Sequence, residues 1–161
     1  MSERTPVMAV VQRILPAPPD AVYDEWLDAE GMTEWMCPRP VRPTKIVLDP
    51  RVGGGIRIDI DDQGFDVTIT GEYLQLDRPE RIRFTWWCTT WEPADRSVVT
   101  VLLEPDGDEQ TLMTIHHTRL PLSLVDGHKQ GWTLTAEQFA AWLEHRLRGS
   151  TTPKPVAGPP V

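Results

Sequence analysis

Cysteine is nearly absent from this chain, with two residues, Cys37 and Cys88, in 161. They form no C-x-x-C and have no metal-ligand spacing, so they read as two reduced, half-buried thiols in a cytoplasmic protein, with a disulfide as the alternative. Positive charge is also scarce. Lys and Arg number 16 against 24 Asp and Glu, giving a net charge of −8 and a pI of about 4.9. A nucleic-acid surface or a polybasic membrane patch needs the opposite balance. No stretch approaches the roughly 18 apolar residues of a membrane span. The start, "MSERTPVMAVVQRIL", has a short apolar run interrupted by Gln12 and Arg13, and no secretory leader is expected. Catalytic motifs are thin as well. "RVGGG" lacks the P-loop pattern, "DIDDQG" lacks the rest of a calcium loop, and there is no G-x-S-x-G. His116 and His117 are neighbours on one strand and point to opposite faces, so they cannot chelate one metal. No cofactor and no metal are expected.

Tryptophan is what the chain has in excess, with seven against two Tyr and three Phe. Three of them fall in "ERIRFTWWCTTW", residues 80–91. In so acidic a chain they are poor base-stacking platforms, which sit in basic grooves. That leaves a plain core or the wall of a small-molecule cavity.

"VMAVVQRIL" (Val7–Leu15) reads as a first strand, stopped by "PAPPD". Asp20 or the prolines before it can open a helix through Val22, Trp26 and Ala29, broken at Gly31, with a second short turn at "MTEWM". The prolines of "CPRPVRP" exclude regular structure. Six alternating runs follow, "TKIVLD", "GIRIDID", "FDVTITGEYLQLD", "ERIRFTWWCTT", "RSVVTVLLEPDG" and "TLMTIHHTRL", joined by short turn-rich links. A helix over roughly Gly131 to Leu147 carries the apolar stripe Trp132, Ala136, Phe139, Ala140, Leu143 and Leu147. Residues 1–149 are expected to form one domain. Residues 150–161, Pro- and Gly-rich and without periodicity, are expected to be a disordered tail. Seven strands in a meander plus segregated helices make an α+β domain.

The segments "DPRVGGGIRIDI", "GEYLQLDRPERIRFTWW", "SVVTVLLEPDGDEQTLMTIHHTRLP" and "GWTLTAEQFAAWLE" are similar, in order and spacing, to the motifs of the START-like SRPBCC superfamily. The branch they resemble is the family of the activator of the 90-kDa heat-shock protein ATPase, in its single-domain form. The resemblance runs from about Val7 to Leu147. It implies a helix-grip fold, a curved seven-stranded antiparallel sheet wrapped around a long C-terminal helix, with two short helices after the first strand and often a cavity between sheet and helix. The same fold serves lipid carriers, hormone receptors and polyketide cyclases, so it fixes architecture and not function.

Strand alternation puts Ile82, Phe84, Trp86 and Cys88 on one face with Val99, Val101, Leu103, Met113, Ile115 and His117. The expected ligand-binding set is Trp35, Trp86, His117, Trp132 and Phe139, with the indole N–H of Trp86 meeting a polar partner there. Trp35, Met36 and Cys37 precede the segment that would close the cavity in the family. Arg57 and Asp59 share a face, either as a surface ion pair or as a polar pair at the cavity end. Non-enzymatic binding of an apolar or aromatic small molecule is the favoured function. The alternatives are a cyclase- or hydrolase-type enzyme using His117, with Arg57 or a pocket carboxylate as helper, and a chaperone- or protein-interaction domain. An outward Trp87–Trp91 pair would also support a homodimer.

Overall fold

The computed structural model describes residues 8–151, with side chains as far as Leu147. From residue 152 onward, and at Val7, the expectations made above lie outside the described residues. Strand β1 (Met8–Leu15) leads to helix α1 (Pro19–Trp26) and the single turn α2 (Ala29–Met32). The remaining strands are β2 (Arg42–Leu48), β3 (Gly55–Asp62), β4 (Phe65–Asp77), β5 (Arg81–Cys88), β6 (Ser97–Pro105) and β7 (Thr111–Thr118). Helix α3 (Leu122–Thr151) follows β7.

All seven strands join one curved antiparallel sheet in the order β1-β7-β6-β5-β4-β3-β2. Strands β2 to β7 form a meander because their links are short. The α1–α2 segment instead carries the chain from β1, at one edge, to β2 at the other. The inner face of the sheet holds the alternating sets read from the sequence, with Ile82, Val99, Val101, Met113 and Ile115 essentially sealed from solvent. Against them α3 lays Trp132, Ala136, Phe139, Ala140 and Leu143, all buried. This is the helix-grip arrangement of an α+β domain. Among the described residues no helix is long and apolar enough to cross a membrane.

Four local readings need correction. Gly31 does not break α1. It lies within α2, and the break comes at Leu27 and Asp28. A Cβ there would come within 2.9 Å of Asp28 Oδ2 and 3.0 Å of Glu25 Oε1, so close approach explains this glycine. Pro43 is accommodated in β2, an edge strand, where the register slips between Pro43 and Lys45. Helix α3 begins at Leu122 rather than Gly131, because Gly127 and Gly131 sit inside the helix instead of stopping it. Leu147, counted in the apolar stripe, is 40% exposed, and the buried stripe ends at Leu143.

Hydrogen bonds fix the remaining pieces around this core. Buried Glu25 on α1 accepts from Trp142 Nε1 at 3.2 Å and pairs with Arg146, tying α1 to α3. The segment between α2 and β2 is held by two side chains. Arg39 Nη1 donates to the carbonyls of Met36 and Cys37, each at 3.0 Å, and Nη2 to that of Glu34 at 2.8 Å. Gln138 on α3 accepts from Arg39 N at 3.0 Å, and its Nε2 donates to the carbonyls of Trp35 and Cys37. Satisfying so many carbonyls at once lets an irregular, largely buried segment avoid the cost of unpaired backbone groups.

Candidate functional site

The space between sheet and α3 is unevenly filled. At one end Trp35 stacks on Phe139 with centroids 3.9 Å apart, and Trp26 meets Trp35 edge-on at 5.0 Å. Beside Trp26 a void of only about 10 Å³ is bordered also by Tyr73, Phe84 and Trp86. At the other end lies a cavity of about 400 Å³. Ile60, Ile69 and Trp86 wall it from the sheet, and His128, Trp132 and Thr135 from α3. Met36 and Cys37, from the segment held by Arg39 and Gln138, form a third side, and Trp91, from the loop after β5, a fourth.

The five residues expected to share a site are divided by this arrangement. Trp86 and Trp132 line the cavity with ring centroids 5.3 Å apart. Trp35 and Phe139 instead pack against each other at the filled end. His117 sits on the inner face, as alternation requires, yet it lies behind the wall at 0% exposure. Its bonding is complete. Trp132 Nε1 donates to His117 Nδ1 at 3.0 Å, so the other ring nitrogen carries the proton. That Nε2–H donates to Ser97 Oγ at 2.7 Å, and Ser97 Oγ donates onward to the Trp86 carbonyl at 2.8 Å. Burial, followed by the nearby His128, pushes the imidazole pKa down to about 3. His117 is therefore a neutral link joining β5, β6, β7 and α3, with no carboxylate partner and no route to solvent. An acid–base role does not fit it.

The indole N–H expected to find a partner was that of Trp86. It is Trp132 that has one; Trp86 Nε1 is buried without a hydrogen-bond partner among the described residues. The outward tryptophan pair also fails to form. Trp91 turns inward to line the cavity, while Trp87 is half-buried and donates from Nε1 to the Glu92 carbonyl at 2.9 Å. Neither ring is fully exposed, so the outward pair that the homodimer and chaperone-contact expectations invoked does not form among the described residues. Arg57 and Asp59 form the exposed ion pair, at 3.0 Å, and not a pair at the cavity.

His128 was not singled out from the sequence. Its Nδ1 donates to the Leu124 carbonyl at 3.0 Å, since a carbonyl can only accept, which leaves Nε2 as an acceptor in the neutral ring. Burial holds its pKa below the usual imidazole value, opposed in part by the Leu124 bond. Trp91 and His117 meet its ring edge-on, at 5.5 and 5.1 Å. Leu124, His128, Gly131, Trp132 and Thr135 recur at helical spacing, a signal that a helix expected to begin near Gly131 leaves out. Both cysteines are free and both border the cavity. Burial pushes the Cys37 thiol up to about 12, so it is a protonated wall group and not a nucleophile.

Comparison with known proteins agrees with this architecture. A protein from Chromobacterium violaceum is 28% identical, with a TM-score of 0.76 over 86% of this chain and 99% of that one. A protein from Nitrosomonas europaea, 19% identical, superposes with a TM-score of 0.75 over 88% and 96% of the two chains. The AHSA1 protein from Silicibacter pomeroyi, 21% identical, gives 0.74 over 86% and 99%. No curated protein matches the chain. The family model described as Activator of Hsp90 ATPase homolog 1-like protein matches residues 16–144. That span takes in both short helices, strands β2 to β7 and most of α3, and the chain belongs to that family.

Proposed function

We propose that this chain holds a small apolar or aromatic molecule in the cavity between its sheet and α3 and releases it unchanged. The observation that carries the reading is the cavity itself, about 400 Å³, walled by Trp86, Trp91 and Trp132 with few polar groups among them. Its size and mostly apolar wall match small-molecule sites in general. The family resemblance supports the same reading. Against catalysis stands the state of His117, whose two ring nitrogens are both occupied by structural hydrogen bonds.

A polarity-sensitive fluorescent dye titrated into purified protein tests the proposal, read both by dye emission and by quenching of tryptophan fluorescence. Saturable binding at one site, competed by small aromatic molecules, is the expected result. Failure of every apolar probe to bind a folded sample would remove the proposal.

A further inference from the structure

Resting on that reading, we infer that the cavity selects an uncharged aromatic molecule carrying a hydroxyl group, which donates its proton to His128 Nε2. The imidazole is fixed in the accepting state by its neighbour on the helix. Nδ1–H is committed to the Leu124 carbonyl, and the edge contacts of Trp91 and His117 brace the ring. Nε2 has no hydrogen-bond partner among the described residues, and His128 borders the cavity.

The rest of the wall narrows the ligand's charge. Among the described residues no Lys or Arg lines the cavity, and the one charged lining residue is Asp62. A carboxylate or phosphate ligand would enter without a counter-charge and beside a like one. A plain hydrocarbon would leave the His128 acceptor desolvated and unpaired, a cost that a ligand with a donor avoids. A hydroxyl is the simplest uncharged group that donates to such an acceptor.

Three probes of one shape decide the matter: 2-naphthol, its methyl ether 2-methoxynaphthalene, and 2-naphthoate, each titrated by competition against a bound dye at neutral pH. Naphthol is expected to bind about tenfold more tightly than the ether, the size of one net hydrogen bond, with the carboxylate weakest. His128→Phe keeps a ring in place and should abolish the preference for naphthol over the ether; His128→Gln, which retains an acceptor, should restore part of it. Equal binding of naphthol and ether to the wild-type protein would overturn the inference and leave the cavity proposal standing. A preference that survives in His128→Phe would assign the acceptor elsewhere and overturn it too. If the dye binds and none of the three displaces it, the inference falls alone; if no apolar probe binds, dye included, the cavity proposal falls with it.

Discussion

The two ends of the space beneath α3 are built from the same residue type and do different things with it. At the filled end Trp26 and Trp35 close on Phe139, and Trp26 also borders a void of only about 10 Å³. At the open end Trp86, Trp91 and Trp132 stand around about 400 Å³. The difference comes from what α3 presents to each end. Phe139 stacks on Trp35 at the filled end, whereas Gly127 and Gly131, which border the open one, bring no side chain to it. A tryptophan count therefore says little about whether a cavity exists. What decides is the partner that each ring meets. Trp86 borders both spaces and acts as the partition between them.

Removing rings should break this comparison at either end with different signatures. Phe139→Ala or Trp35→Ala, each deleting one half of the stacked pair, should cost about 3–5 kcal/mol by denaturant unfolding, with the dye affinity of the folded fraction unchanged. Trp86→Ala should cost a similar amount, about 3–5 kcal/mol, but join the two spaces and alter dye binding. If the Trp86 and Trp35 variants changed binding equally, the division into a filled and an open end would be wrong.

His117 sharpens the comparison through pH. Its folded-state pKa of about 3 lies below the ordinary value of 6.5, so the unfolded chain binds the extra proton between those limits. The stability contributed by the neutral ring is present in full above about pH 6.5. It should fall as pH drops from there toward about 3, by up to about 1.4 kcal/mol per pH unit for one group. His128, also lowered, adds in the same direction. Unfolding free energies measured across this window should show a shallower slope in His117→Phe than in the wild-type protein. An unchanged slope would mean that burial does not hold the ring neutral.

The smallest expected stability change comes with a large change in binding. A Cβ at Gly127 meets nothing within 4 Å. Gly127→Ala should therefore stabilise α3 by about 0.5–1 kcal/mol through helix propensity, seen as a small rise in melting temperature. Gly127→Leu should keep the fold and fill part of the cavity, weakening dye binding about tenfold or more. Intact binding in that variant would place the dye outside the cavity.

Strand alternation made much of the inner face readable, because a period of two leaves no freedom once one face is buried. Ile82, Phe84 and Trp86, Val99 and Val101, and Ile115 and His117 were all placed this way. What could not be read depended on partners distant in sequence. Trp91 follows β5, and alternation carried past the strand end would turn it outward, yet the loop folds it in. His128 was lost with the first turns of α3. Arg39 and Gln138 bond to backbone carbonyls, which every residue carries and which therefore leave no mark in side-chain patterns.

That pair of residues has a kinetic consequence. The carbonyls of Trp35, Met36 and Cys37 are claimed by Arg39 and Gln138, so this side of the cavity is ordered by the chain's own bonds and not by a bound molecule. Association should then be a single encounter, with an observed rate rising linearly with probe concentration and no plateau from a slow prior step.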